Sequence, residues 1–308
     1  MVPAGYAATT TEHGIMVSGP EGDRLLYAVP HPVLAPGAQV DMVLVDVVED
    51  PSVCGALRRT GVVGTSTALV GLGGDHRVSS PGELERRGRM WGVSTVSDNQ
   101  ELQCPPNAWP PPRMRGPHRT LVLGGARSGK SAEAELRLQA EPEVTYVATG
   151  PVPGVADSSW QYRVAAHRER RPQWWHTEET LDVAGVLERA TGAVLVDGLG
   201  SWLAGVMDEC GVWEAETGLG DGAGETTRQA TGQAARQEAW QRVTELVATW
   251  RQTAANVVAV SDEVGSGVVP PTVSGGLFRD WLGRLNEMLA TESEEAVLTV
   301  AGRILELS

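Results

Sequence analysis

The sequence is nearly without lysine: 24 of its 25 basic residues are arginine, and the single lysine is Lys130. Positive charge is scarce as a whole, with 39 acidic residues setting a formal net charge of -14. Residues 1–112 hold seven arginines against twelve acids, so the deficit runs through both halves. Neither half offers the positive field that nucleic acid or an anionic membrane surface needs, and any bound phosphate has to be held by a local site. Cysteine is sparse, and Cys54, Cys104 and Cys210 stand far apart without a CxxC pair, which excludes a disulfide framework and a zinc knuckle. The six histidines form no HxH or HxxxH pair, so a clustered metal centre is not expected in the N-terminal part. No apolar run is long enough to cross a bilayer. The N-terminus lacks a charged segment followed by an apolar stretch, and the reading is of a cytoplasmic protein.

What is present is organised in two parts. Six prolines fall within Cys104–His118, a stretch that can be neither helix interior nor central strand. Residues 104–118 therefore read as a Pro-rich linker between a smaller α/β segment, 1–103, and a larger domain, 119–308. In the larger domain, β-branched runs predict strands at Thr120–Leu123, Val144–Ala148, Ala193–Val196, Asn256–Ser261 and Ala296–Val300. Helical spacing of Trp240, Val243, Val247 and Trp250, and of Phe278, Leu282, Leu285 and Leu289, predicts two helices packed on the sheet. The acidic, glycine-rich stretch Asp208–Glu225 reads as a solvated loop. Alternating strand and helix predicts an α/β fold of P-loop NTPase type, with a mostly parallel sheet and helices on both faces. In the smaller segment, strands are expected at Gly14–Ser18, Leu25–Val29 and Met42–Val47, and a short helix over Glu83–Arg87.

The most informative segment is Leu121-Val-Leu-Gly124-Gly125-Ala126-Arg127-Ser128-Gly129-Lys130-Ser131, which fits G-x-x-x-x-G-K-[ST] between an apolar strand and a run of good helix formers. Glycines let backbone N–H groups converge on phosphate oxygens, and the helix N-terminus adds a favourable dipole. Lys130 can reach the outer phosphates and Ser131 can bind Mg²⁺, so ATP or GTP is the expected ligand. Mg²⁺ usually needs a carboxylate from a neighbouring strand end, and Val194-Leu-Val-Asp197 supplies one; the rival role for Asp197 is an ordinary helix N-cap.

A second segment, Asp157–Glu179, places Trp160, Val164 and His167 on one helical face with arginines crowding the histidine. Neighbouring cations disfavour imidazolium, leaving a neutral ring able to attack an anion that the same arginines would hold. Taken together, Gly124–Ser131, Tyr146-Val-Ala-Thr149, Arg163-Val-x-x-His167, Arg171-Pro172, Trp175-x-Thr177-x-Glu179, Val196-Asp197, Glu263-Val-Gly-x-Gly-Val-Val-Pro270 and Phe278-Arg-Asp280-x-x-Gly283-x-x-Asn286 occur in an order that resembles the bifunctional adenosylcobinamide kinase/adenosylcobinamide-phosphate guanylyltransferase family of cobalamin synthesis.

The resemblance covers about residues 119–308. It implies phosphorylation of the aminopropanol hydroxyl of adenosylcobinamide, then transfer of GMP from GTP to that phosphate. It also implies that His167 carries the guanylyl group, that Thr149, Gly150, Arg171, Glu179 and Asp197 lie near the nucleotide, and that the assembly is a homotrimer. Ser159, Gly200, Gly205, Asp262 and Gly276 depart from the family pattern; Asp262 stands where Asn is usual, and Gly200 where a polar residue is. Residues 19–27 and 41–46 resemble part of a metallo-β-lactamase-like domain, implying a truncated version of it in which Asp75-His76 is a remnant of a metal site or a plain surface turn. Two other readings remain open from the residues alone: a P-loop kinase for another small hydroxylated substrate, and a nucleotide-binding regulatory module without chemistry.

Overall fold

The computed structural model describes residues 3–73, 77–78, 80–105, 118–150, 171–217 and 225–307. The chain divides into two compact units, one of Met1–Arg115, Leu136–Val144 and Pro172–Trp174, the other of Gly116–Glu135, Thr145–Arg171 and Trp175–Ser308.

The first unit is built on a six-stranded sheet in the order β1 (Ala7–Thr11), β2 (Gly14–Ser18), β3 (Arg24–Ala28), β4 (Met42–Asp46), β5 (Ala68–Leu72), β6 (Ser94–Thr95). The first three strands pair antiparallel and the rest parallel. The β1–β2 turn closes at Gly14, whose φ of 137° puts a hypothetical Cβ 2.0 Å from the Tyr27 carbonyl oxygen, so only glycine fits there. Two helices, α1 (Ser52–Arg59) and α2 (Pro81–Trp91), supply Val53, Cys54, Leu57 and Trp91 to its core. Helix α2 is longer than the expected Glu83–Arg87, and Pro81 opens it, because proline suits the first helical turn and the Ser80 side chain caps Glu83 N–H at 3.2 Å. Within this unit Arg58 donates to the carbonyls of Trp91 and Ala140, both at 2.6 Å, and the Trp91 indole N–H donates to Leu136 at 2.8 Å. Burial pushes the Cys54 thiol up to about 11, making it a packed apolar residue rather than a nucleophile.

The second unit carries β7 (His118–Gly124), α3 (Lys130–Leu138, as far as Glu135), β8 (Val144–Ala148), β9 (His176–Glu179), α4 (Val183–Arg189), β10 (Ala193–Asp197), α5 (Leu199–Glu209), α6 (Val212–Thr217), α7 (Glu225–Gln252), β11 (Asn256–Asp262), α8 (Val273–Thr291), β12 (Glu295–Val300) and β13 (Arg303–Glu306). Its seven-stranded sheet runs β13-β12-β7-β11-β10-β8-β9. Parallel pairing joins β12, β7, β11 and β10, and also β8 with β9, while β13 turns back antiparallel on β12. The expected strands are all present: β8 has the expected bounds, β10, β11 and β12 are one residue longer at one end, and β7 extends from Thr120–Leu123 to His118–Gly124. Successive residues of β10 and β11 are buried whichever way they point, as in a sheet covered on both faces. One layer is the core of Leu121, Val194, Val196, Val257 and Ala259 against Leu203, Val243, Trp250, Leu282 and Leu289 from the helices. Two of its tryptophans are bonded at their polar ends: Trp202 N–H donates to Leu181 at 2.9 Å and Trp250 N–H to Ser293 Oγ at 3.2 Å.

The Asp208–Glu225 stretch corrects the expectation of a loop. Asp208 and Glu209 close α5, and α6 follows at once because Val212 is fully buried and Trp213 packs on the same core, which outweighs the acidic composition. Among the described residues no helix is long and apolar enough to cross a membrane, and no three His, Cys, Asp or Glu side chains gather as a metal cluster. Asp75 and His76 lie outside the described residues.

Candidate functional site

Strand β7 sits in the middle of the second sheet, between β12 and β11, and its carboxyl end runs into the glycine-rich turn. The turn is shaped by close approach. A Cβ at Gly124 would lie 2.3 Å from Ser128 Oγ and 2.8 Å from the Thr299 carbonyl, and Gly129 sits at φ 99°. Arg127 takes φ 57°, leaving Gly125, Ala126 and Arg127 exposed at the rim while Ser128 is buried. Two backbone bonds hold the curve: Ser128 N–H to Gly125 at 3.3 Å and Glu133 N–H to Gly129 at 3.0 Å, the latter starting α3. A third comes from the β12–β13 turn, where Gly302 N–H donates to the Ser128 carbonyl at 2.8 Å. Such a turn ending in a helix N-terminus is the geometry that binds anions through N–H groups and the helix dipole.

Lys130 folds back over this turn, donating to the Gly125 carbonyl at 3.1 Å and pairing with Asp262 at 2.8 Å. Ser131 Oγ donates to Asp197 Oδ1 at 3.2 Å, which joins the turn to the end of β10 two strands away. The other oxygen of Asp197 accepts from the Tyr146 hydroxyl. Asp197 is the last residue of β10, and the helix N-cap is Gly198, without a side-chain cap, so the N-cap role does not apply to Asp197. Thr149 Oγ1 lies 2.7 Å from the Gly198 carbonyl and 3.1 Å from that of Asp197, tying the end of β8 to the same point.

Tyr146 is buried, and desolvation first, then the adjacent Asp197 charge, drives its phenol far above the ordinary range. It therefore stays a hydrogen-bond donor to the carboxylate at any working pH. The Arg171 guanidinium stacks 3.4 Å from the centroid of its ring and reaches Thr177 Oγ1 at 3.4 Å. Glu179 ends β9, paired with Ala148, one residue before Thr149. Gly150 follows Thr149 at the edge of the described residues. His167, with Trp160, Arg163 and Ser159, lies outside them.

The structure thus brings Gly124–Ser131, Thr149 and Asp197 to the carboxyl ends of neighbouring strands, where parallel sheets bind ligands. Two further participants carry no role in the sequence reading: Tyr146, which opens the Tyr146-Val-Ala-Thr149 motif, and Asp262, which departs from the family pattern. Asp262 had a legible signal, since Val257-Val-Ala-Val-Ser-Asp262 is an apolar run ending in an acid like that before Asp197. Tyr146 had none, because its bond to Asp197 spans 51 residues.

A family model described as cobinamide kinase / cobinamide phosphate guanyltransferase matches residues 120–307. The bifunctional adenosylcobalamin biosynthesis protein CobU of Salmonella typhimurium is 32% identical over 187 residues, covering 59% of this chain and 95% of that protein. Its Escherichia coli namesake is 33% identical over 187 residues, with the same coverage of both chains. The bifunctional adenosylcobalamin biosynthesis protein CobP of Pseudomonas aeruginosa is 34% identical over 190 residues, covering 60% of this chain and 94% of that protein.

Proposed function

The chain belongs to the cobinamide kinase / cobinamide phosphate guanyltransferase family, and on that premise we propose that it phosphorylates adenosylcobinamide and then transfers GMP from GTP to the product, giving adenosylcobinamide-GDP. The observation that carries this reading is the convergence of the single lysine, the glycine turn and the Ser131–Asp197 pair at one strand end.

Each residue has a physical task in it. The N–H groups of Gly125–Ser131 cradle phosphates, and Lys130 supplies a point charge to the outer ones. Ser131 and Asp197 form a pair of hard oxygen donors 3.2 Å apart, a set that suits Mg²⁺. When bound, the ion would neutralise charge on the phosphates during transfer. Tyr146 fixes one carboxylate oxygen of Asp197 and leaves the other toward Ser131. Arg171 and Glu179 border the nucleotide with Thr149 and Gly150. Phosphorylation of the hydroxyl then needs positioning and charge stabilisation, with no covalent enzyme intermediate.

GMP transfer needs a nucleophile, which we assign to His167. The imidazole attacks the α-phosphorus of GTP, the bond to the bridging oxygen breaks and pyrophosphate leaves. A phosphate oxygen of adenosylcobinamide phosphate then attacks the same phosphorus and frees the histidine. The support is the arginine-rich surroundings of His167 in sequence and its place within the matched residues. A cytoplasmic homotrimer belongs to the same reading, as does the division into a metallo-β-lactamase-like segment 1–103, a linker 104–118 and a catalytic domain 119–308.

The test is GTP labelled in the α-phosphate. Wild type retains the label in an acid-labile, base-stable bond, and His167→Ala loses labelling and GMP transfer while keeping phosphorylation of adenosylcobinamide within about threefold, since that step uses no covalent intermediate. Labelled His167→Ala would overturn the nucleophile assignment. Wild type that phosphorylates but never labels would leave a plain P-loop kinase.

A further inference from the structure

The Asp262 carboxylate is held against the P-loop lysine by more than a surface encounter. Its own carbonyl accepts from Asn286 Nδ2 at 3.1 Å, and the next residue, Glu263, donates its N–H to the Gly124 carbonyl at 3.2 Å. The backbone at Asp262 is therefore pinned on both sides, in register with Gly124 across the β11–β7 pair. The carboxylate is 2.8 Å from Lys130 Nζ, whose side chain is only 14% exposed. Space for it is provided by Gly200 at the start of α5, where a Cβ would lie 2.8 Å from Asp262 Oδ2. Gly200 and Asp262, both departures from the family pattern, thus meet at one point: the absent side chain at 200 leaves room for this placement of the Asp262 carboxylate.

An ammonium already paired with a carboxylate and bonded to Gly125 is not idle when a nucleotide arrives. A phosphate oxygen bonded to the same Nζ would sit within about 6 Å of Asp262 Oδ1, so like charges meet unless a cation accompanies the nucleotide. We propose that Asp262 is a resident counter-anion of the P-loop lysine, occupying Lys130 until a cation-loaded nucleoside triphosphate displaces it, and so makes nucleotide binding more dependent on the divalent cation than the loop alone requires. It is a positioning residue acting through Lys130, and its role rests on the nucleotide-binding reading above.

The test is calorimetric titration of the full chain with GTP, in EDTA and in excess Mg²⁺. In EDTA, Asp262→Asn binds GTP about three- to tenfold more tightly than wild type, the range set by a partly exposed ion pair. The ratio shrinks in Mg²⁺, and Asp262→Glu, which keeps the anion, follows wild type. Gly200→Ala serves if Asp262→Asn does not fold: its Cβ displaces the carboxylate without removing it, and a smaller gain in the same direction is expected. Equal or weaker binding by the variant in EDTA, or the same gain in both media, would overturn the proposal. Wild type that binds GTP in neither medium would instead defeat the nucleotide-binding reading itself.

Discussion

Two strands, one in each compact unit, end almost identically: Met42-Val-Leu-Val-Asp46 on β4 and Ala193-Val-Leu-Val-Asp197 on β10. Both are parallel, largely buried and followed by a turn that leads toward a helix. Their carboxylates do different things. Asp46 Oδ1 accepts from the N–H groups of Val48 at 3.1 Å and Glu49 at 3.0 Å, bonds that organise the turn that follows it. Asp197 accepts from Ser131 and Tyr146, residues 66 and 51 positions away. The five-residue string is the same apart from its first member, so the string does not choose the role. The neighbours do: β10 lies two strands from a glycine turn that ends in Lys130 and Ser131, whereas Asp46 Oδ1 is bonded within three residues of its own position.

The largest effect should come from exchanging the two acids for alanine. Asp197→Ala should lower both transfer reactions by at least about a hundredfold, the scale of losing an electrostatic partner in phosphoryl transfer. Asp46→Ala should leave kcat within about twofold and cost about 1 kcal/mol of stability, the worth of a turn or cap acceptor. Paired activity assays and urea melts check this, and a dead Asp46→Ala that is still folded would break the comparison.

Tyr146→Phe sharpens it by removing one donor while keeping the ring under Arg171. Activity should fall by about tenfold, the worth of one charge-assisted hydrogen bond, with the thermal midpoint little changed because the buried ring remains. Kinetics at saturating and limiting Mg²⁺ should show the loss concentrated at limiting Mg²⁺. A loss equal in both conditions would mean that Tyr146 does not act through Asp197.

The smallest effect belongs to an acid held by an arginine. Glu294 accepts from Arg119 through the backbone N–H at 2.6 Å and through the guanidinium, and these bonds pull its carboxyl down to about 2. A depressed carboxyl stabilises the fold above its unfolded value, and that stabilisation is lost as pH falls from about 4.5 to about 2. The pair is partly solvated, so Glu294→Gln should cost about 1 kcal/mol at pH 7 and nothing near pH 2. Urea melts across that range check the sign; a penalty that grows toward acid would contradict it.

Much of the second unit was legible because its strands are continuous apolar runs and its long helices carry aromatic and aliphatic residues at helical spacing. Elements without such patterns were not. Strand β9 is His-Thr-Glu-Glu at the sheet edge, and β1 is Ala-Ala-Thr-Thr-Thr with little buried surface. Helix α1 has a glycine in its middle, and α6 hides inside an acidic, glycine-rich composition although Val212 is fully buried. In each case pairing or burial against distant residues overrode the local preference.

The sequence by itself determined the glycine-rich turn, because G-x-x-x-x-G-K-S encodes its own backbone curvature, donors and charge within eight consecutive residues. It determined the parallel α/β architecture as well, since strand runs and helix periodicities are local patterns. What only the tertiary structure decided is which acids serve that turn. Asp46, Asp197 and Asp262 each close an apolar strand, yet only the last two reach Lys130 or Ser131. Hydrogen bonds and ion pairs act over about 3 Å, and strand order, not sequence distance, sets which side chains come that close.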